Sequence, residues 1–312
     1  MKKKKLVVII GPTAVGKTKL SIELAHRLNG EIISGDSMQI YRGMDIGTAK
    51  IQETEMQGVP HHLIDIKNPD EDFSVAEFQA TVRPLIDNIT ERDKFPMIVG
   101  GTGLYIQSVL YDYSFSDVPS DPKYRKMLEE QLSIKGEDAL HELLKEIDPE
   151  SAEKIHPNNS RRVIRALEIY HCTNKTMSEY LRNQNQDMLY DVALIGLTMD
   201  RETLYERINQ RVDLMIDEGL IDEVKGLYDA GIRDTQAIQA IGYKEIYDYF
   251  DGKTSYENAI NNLKQNSRRY AKRQLTWFRN KMDVQWFDMT PPVNHDEKLE
   301  EIFTYIAGKL QL

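Results

Sequence analysis

Behind four lysines the chain runs through an unbroken apolar stretch, Leu6–Ile10, and then meets glycine and proline. A short, continuous, β-branched run of this kind predicts a strand buried on both faces of a parallel sheet. From Lys17 the period changes. Leu20, Leu24 and Leu28 recur at helical spacing and Asn29-Gly30 closes the segment, which predicts a helix over 17–28. Further strands are predicted at 31–34, 59–66 and 96–99. Between the last two lies an amphipathic helix over 74–92, with Ser74 as N-cap and Val75, Phe78, Val82, Leu85 and Ile89 along one face. Strand and helix alternating in this way predict a doubly wound α/β sheet.

The rhythm stops near Tyr113. Ser, Asp and Pro cluster from Ser114 to Pro122, and helical patterns follow at 124–135, 137–147 and 161–170 without a strand among them. It returns with an apolar run at 192–198, followed by long helices over 201–230 and 256–281. After Pro291-Pro292 comes an amphipathic helix at about 295–310. The predicted organisation is an α/β core built from 1–115 and 189–290, an inserted all-helical subdomain at 116–188, and a C-terminal helix within 291–312.

Composition narrows the class. The 312 residues carry 40 Lys+Arg against 50 Asp+Glu and a single cysteine, Cys172, which excludes an internal disulfide framework and any Cys-rich zinc module. No stretch approaches the ~20 apolar residues of a membrane helix, so a cytoplasmic protein without membrane partners is expected, with a monomer as the default. A net charge of -10 argues against indiscriminate binding of nucleic acid, DNA included. It conceals a local exception. Between Asn261 and Met282 stand Lys264, Arg268, Arg269, Lys272, Arg273, Arg279 and Lys281 with no acidic residue. Leu263, Tyr270 and Trp277 repeat every seven residues and predict a core stripe, which leaves Lys264, Arg268 and Lys272 as an outward basic row suited to a phosphate backbone. His61 and His62, adjacent on a predicted strand, point to opposite faces and cannot share one metal.

The most specific chemistry lies at Gly11-Pro12-Thr13-Ala14-Val15-Gly16-Lys17-Thr18, which fits G-x-x-x-x-G-K-[ST] between a predicted strand and a predicted helix. In that setting backbone N–H groups and a helix N-terminus point at phosphate oxygens, Lys17 adds a charge, and the Thr18 hydroxyl is a ligand for Mg²⁺. The motif predicts a bound diphosphate or triphosphate without choosing between them. Asp36 and Asp65 each follow a strand and are candidates for the acid of a kinase or ATPase. Arg207 and Arg211, one helical turn apart, are candidates for clamping an anion.

GPTAVGKT at 11–18, SGDSMQIYRGMDIGTAK at 34–50, VPHHLID at 59–65, VGGTGLY at 99–105, RRVIRALE at 161–168, GYKE at 242–245 and AKRQLTWFR at 271–279 resemble, in order, the motifs of the bacterial tRNA dimethylallyltransferase family. The resemblance implies transfer of a dimethylallyl group from dimethylallyl diphosphate to N6 of adenosine 37, beside the anticodon, in tRNAs reading codons that begin with U. It implies that the loop 11–18 holds the donor's diphosphate with Mg²⁺, that Asp36 is the general base, and that Lys17, Thr102 and Arg211 serve catalysis. It assigns tRNA contacts to Asp36, Ser37, Met38, Gln39 and Thr102, with the Gln39 amide suited to an adenine edge. A second set falls on Arg161, Arg162, Val163, Ile164 and Arg165. Eukaryotic relatives add a C-terminal zinc finger, which one cysteine cannot build, so the likeness is to the shorter form. Neither DNA nor an obligate protein partner is implied. Residue chemistry alone leaves open an adenylate isopentenyltransferase acting on free nucleotide, a P-loop kinase, and a non-catalytic RNA-binding module.

Overall fold

A computed structural model describes residues 3–113, 121–182 and 187–312. The chain divides into two compact units, residues 1–110 with 188–312, and residues 111–187.

The first unit is an α/β fold built on one all-parallel sheet of six strands in the order β3-β2-β4-β1-β5-β6. In chain order its elements begin with β1 (Lys5–Ile10), α1 (Lys17–Leu28), β2 (Gly30–Gly35), β3 (His61–His62), α2 (Val75–Glu91), β4 (Phe95–Gly100) and α3 (Gly103–Leu110). Residues Leu6–Ile10 of β1 are completely buried, which the unbroken apolar run requires of a strand paired on both edges and covered on both faces. Ser74 caps α2 by accepting from Glu77 N–H while the Glu77 side chain accepts from Ser74 N–H, so its start is fixed by local chemistry.

Register decides where chemistry can gather. Ile10 pairs with Gly100, and Gly100 pairs with Gly35, so β1, β4 and β2 end at one level. A Cβ on Gly100 would come within 2.4 Å of the Gly35 backbone, closer than any side chain allows, so β4 must end on glycine. The segments after these strands, starting at Gly11, Asp36 and Gly101, therefore emerge side by side at the carboxyl edge, where open α/β sheets bind ligands.

The predicted strand at 59–66 shrinks to His61–His62, because Leu63 and Asp65 take φ of 62° and 54° and turn the chain out of the sheet. Both histidines have structural partners: His61 Nδ1 contacts Val59 O at 2.8 Å, and His62 Nε2 contacts Glu31 at 2.7 Å. Arg92 also pairs with Glu31 through both terminal guanidinium nitrogens, at 2.5 and 2.9 Å, and holds this buried carboxyl below its usual range.

The second unit is helical, with α4 (Pro122–Ile147, broken at Gly136), α5 (Pro149–Lys154), α6 (Ser160–Thr173) and α7 (Met177–Arg182). Its core gathers Leu128, Leu140, Leu144, Ile155, Val163, Ile164 and Leu167.

The first unit resumes with β5 (Asp191–Thr198), α8 (Arg201–Asp217), α9 (Leu220–Asp229), α10 (Tyr243–Phe250), α11 (Tyr256–Lys281), β6 (Gln285–Asp288) and α12 (His295–Leu310). The single helix predicted over 201–230 is two, since Gly219 adopts φ of 101° between them.

Candidate active site

Four segments of the first unit meet at the carboxyl edge of the sheet. The first is the loop 11–18. Ala14 and Gly16 take left-handed backbone conformations, with φ of 65° and 102°, which curl the loop before α1 begins at Lys17. Lys17 folds back onto this loop, its Nζ donating to Gly11 O at 3.0 Å and Pro12 O at 2.7 Å. Burial lowers the Lys17 pKa to about 8; the charge of Asp36 opposes the shift and that of Arg211 adds to it.

The second segment carries Asp36. Its carboxylate accepts from Met38 N–H at 2.8 Å, closing an Asx turn directly after β2. Burial pushes the Asp36 carboxyl above the usual carboxylate range, against the N–H groups of Met38 and Gln39 and the charges of Lys17 and Arg211. An acid and a base thus share one field and are displaced towards each other, Asp36 up and Lys17 down.

The third segment is the glycine turn after β4. Thr102 N donates to Gly35 O at 3.2 Å, and the Thr102 hydroxyl accepts from Ser37 N–H at 3.1 Å and donates to Ser37 Oγ at 3.3 Å. Thr102 thereby ties the β4 turn to the residue next to Asp36.

The fourth is α11. The buried Gln274 side chain accepts from Thr13 N–H at 3.3 Å and donates to Gly101 O at 3.1 Å, joining the first loop to the third. A Cβ on Gly101 would lie 2.0 Å from Gln274 Nε2, so any side chain there would push this amide off the turn. Tyr270, one turn earlier, lies beside Thr102 and Gln274, and burial together with the Asp36 charge raises its hydroxyl to about 12. Arg211 of α8 completes the group; burial pulls its guanidinium down from the usual value, while Glu218, Glu55 and Asp36 oppose the shift. Arg207, one turn before it, is likewise half-buried.

Several expectations need correction. Asp65 is not at this edge chemistry: it pairs at 2.5 Å with Lys50, a buried ammonium that also contacts Asp45 at 2.5 Å and Tyr41 O at 2.7 Å. A buried lysine left without these partners would be strongly destabilising, so they are structural. The Gln39 amide is turned inward instead of being offered to a base, accepting from Ser34 Oγ at 3.0 Å and donating to Thr48 O and Ala49 O at 3.3 and 3.4 Å. The basic row on α11 does not face outward along its length. Lys264 pairs with Asp213 at 2.5 Å and Arg268 donates to Asn209 at 2.5 Å, because that side of α11 packs on α8. The exposed cations of α11 are Arg269, Lys272, Arg273, Arg279 and Lys281. The core stripe is likewise only partly core: Leu263 is buried, whereas Tyr270 and Trp277 are half-buried at the site.

In the helical unit, Val163 and Ile164 are core residues and cannot present side chains to a ligand. Arg165 pairs at 2.6 Å with Glu168, which Arg125 also holds at 2.8 Å. Burial works against ionisation of Glu168, but these two guanidinium groups outweigh it and keep the carboxyl below its usual range. Arg161 and Arg162 are exposed on α6.

Among the described residues no group of three or more His, Cys, Asp or Glu side chains is arranged to hold a metal. The exposed Thr18 hydroxyl beside the curled loop fits a Mg²⁺ that takes its remaining ligands from phosphate and water, as this hard, strongly hydrated ion commonly does.

An all-parallel sheet with helices around it, whose first strand runs through the residues fitting G-x-x-x-x-G-K-[ST] into α1, defines an α/β protein. Within that class, the family profile described as IPP transferase matches residues 39–281, and the chain belongs to that family. It is 67% identical over 308 residues, spanning 99% of this chain and 98% of the relative, to a protein of Geobacillus thermodenitrificans named tRNA dimethylallyltransferase. Among solved structures, a full-length tRNA isopentenylpyrophosphate transferase from Bacillus halodurans is 60% identical with a TM-score of 0.77, over 99% of this chain and 97% of that one. A eukaryotic dimethylallyltransferase described as acting on tRNA is 32% identical with a TM-score of 0.84, over 99% of this chain and 79% of that one.

Proposed function

We propose that this enzyme transfers the dimethylallyl group of dimethylallyl diphosphate to N6 of adenosine 37 in tRNAs reading codons that begin with U, giving N6-isopentenyladenosine and diphosphate. The observation that carries the mechanism is the convergence of Asp36, directly after β2, and Lys17, at the start of α1, on one edge of the sheet, where each feels the other's charge and burial displaces their proton affinities in opposite directions. An exocyclic adenine amine is a weak nucleophile, since its lone pair is delocalised into the ring. As that nitrogen bonds to the allylic carbon of the donor, the carbon–oxygen bond breaks with its electrons passing to the diphosphate, and the amine proton passes to Asp36. Negative charge grows on the leaving group, and Lys17, the N–H groups of the loop 11–18, Arg207 and Arg211 are the groups to stabilise it. A Mg²⁺ held by Thr18 and the donor's phosphate oxygens would neutralise part of the same charge. Thr102 is a positioning residue, its hydroxyl already engaged with Ser37. Nucleoside analysis by mass spectrometry of an unmodified anticodon stem-loop incubated with the enzyme and dimethylallyl diphosphate tests the assignment. The modified nucleoside is expected at position 37 only, and a stem-loop left unmodified would overturn it.

The ionisation of Lys17 gives a sign to the pH dependence. The ammonium form binds the diphosphate, and in the free protein it is lost as pH rises through about 8. Donor affinity is therefore expected to hold below that value and to weaken above it, by up to about tenfold per pH unit for a single proton. Isothermal titration calorimetry from neutral to alkaline pH reads this directly, and a flat profile would remove Lys17 from the diphosphate.

Two surfaces are proposed for tRNA, the exposed cations of α11 in the first unit and Arg161 with Arg162 in the second. The first is expected to act on phosphates without reading sequence. Replacing Arg269, Lys272 and Arg273 by alanine should weaken binding of every tRNA and reduce the salt slope of log K by up to ~3, about one per lost contact. Replacing Lys264 and Arg268 should change the slope less, because their charges are engaged with Asp213 and Asn209. Filter binding across a salt series distinguishes the two variants: an equal loss of slope per replaced residue would contradict the division of the helix into an engaged side and an exposed side.

A further inference from the structure

The loop that follows Asp36 is held at its far end by a carboxylate that the chemistry above does not use. Glu223, in the first turn of α9, accepts from three successive backbone N–H groups, those of Asp45 and Ile46 at 2.8 Å and of Gly47 at 3.0 Å. It also accepts from the Tyr243 hydroxyl at 2.5 Å. Burial and the Glu223 charge push that hydroxyl well above its usual range, so it stays a donor at any physiological pH. The backbone rests directly on the Tyr243 ring, since a Cβ on Gly47 would lie 2.6 Å from it. Tyr243 belongs to the segment Gly242–Glu245, in which Glu245 accepts from Gly242 N–H at 2.8 Å and from Asn266 at 2.7 Å, anchoring the first turn of α10 to α11.

From this clamp an unbroken series of contacts leads back to Asp36. Residues 45–47 run into Thr48 and Ala49, whose carbonyls accept from the Gln39 amide, and the Gln39 carbonyl accepts from Ser34 Oγ on β2. Met38 and Gln39 supply the N–H groups that face the Asp36 carboxylate. The loop is held by Thr102 near Asp36, by the buried Lys50 with Asp45 and Asp65, and by Glu223 with Tyr243 at the distal end. Neither distal residue is among those assigned to the diphosphate.

We infer that Glu223 and Tyr243 are positioning residues for the general base, setting the loop 36–50 so that Asp36 meets the incoming amine. This rests on the reading of Asp36 as that base. A misplacement of about an ångström in a reacting group can cost about a hundredfold in rate, whereas the donor cradle formed by residues 11–18 and Arg211 lies outside the clamped loop.

The test uses the full chain with Glu223→Gln, Glu223→Asp, Tyr243→Phe and Asp36→Asn. Melting temperature, calorimetric Kd for dimethylallyl diphosphate and the single-turnover rate at saturating donor and tRNA are measured for each. Glu223→Gln keeps the shape but loses the charged acceptor, and is expected to slow the single-turnover step at least about tenfold with donor Kd within about twofold of the parent. Tyr243→Phe, which removes one hydrogen bond and keeps the ring, is expected to give a smaller loss of the same kind, and Glu223→Asp to recover part of the rate. A rate unchanged in both Glu223→Gln and Tyr243→Phe, or a loss of rate and donor affinity in equal proportion, would overturn the inference. Asp36→Asn separates the two claims: if it retains the parent rate, the reading of Asp36 fails, and if it alone is slow, only the clamp's role fails.

Discussion

Replacing Asp36 by alanine is expected to reduce turnover by ~10²-fold or more while leaving the affinities for tRNA and for dimethylallyl diphosphate near those of the parent. General bases contribute about 10²–10⁴ to rate because they act only as the bond forms, so the loss belongs to kcat and to kcat/KM in equal measure. The geometry sets this expectation. Asp36 stands at the end of β2, its carboxylate fixed by the Met38 N–H and raised in pKa by burial, with Lys17 as a charged neighbour. A raised pKa makes a carboxylate a better proton acceptor, and the acid limb of the turnover profile should lie above the usual carboxylate range for that reason. Single-turnover kinetics with equilibrium binding measured in parallel check both parts. Native turnover in a folded Asp36→Ala protein would remove this residue from the role.

Lys17→Ala is expected to have the second large effect, and of a different kind. On the proposed reading the same ammonium binds the donor's diphosphate and stabilises it as it departs, so donor KM should rise and kcat should fall together. Hydrogen bonds to charged groups are worth about 1.5–3 kcal/mol each, which corresponds to a loss of about tenfold to a hundredfold or more in kcat/KM. Binding of tRNA should be little changed, because Lys17 folds onto the loop 11–18 and is not one of the exposed cations of α11 proposed to meet tRNA. Steady-state kinetics varying donor at saturating tRNA separate the two parameters. A change confined to tRNA affinity would contradict the assignment of the loop.

What could be read in the sequence follows the range of the forces involved. β1, α1, α2, α11 and α12 carry long or strongly periodic patterns, and the structure has them close to the predicted bounds. The elements that escaped prediction are short. α3 starts inside Gly100–Gly103, which reads as a turn, and β6 is four residues whose pairing with β5 only tertiary packing supplies. The break at Gly219 was hidden because apolar spacing continues across it.

The site divides in the same way. Residues 11–18 announce themselves through local spacing, whereas Asp36 and Asp65 stand level as acids after strands and only the family resemblance separates them. Gln274 and Tyr270 sit in a stretch whose heptad spacing predicts core, and only the close approach of α11 to the glycine turn shows what they touch. Glu223 meets the backbone of residues 45–47 across nearly two hundred positions of sequence, and no local pattern encodes such a contact. For Lys264 and Arg268 the helix period predicts their common side of α11 but not what that side meets. Asp213 and Asn209 on α8 are what turn those side chains inward.

On the proposed function, the loop 11–18 holds a prenyl diphosphate for transfer to tRNA and does not hold ATP for phosphoryl transfer. Incubation of the enzyme with labelled dimethylallyl diphosphate, offered tRNA or AMP in the presence and absence of ATP, tests it most directly. Label is predicted in tRNA alone, at the same rate with or without ATP, and with no ATP consumed. Label in AMP, or hydrolysis of ATP in step with modification, would contradict the account.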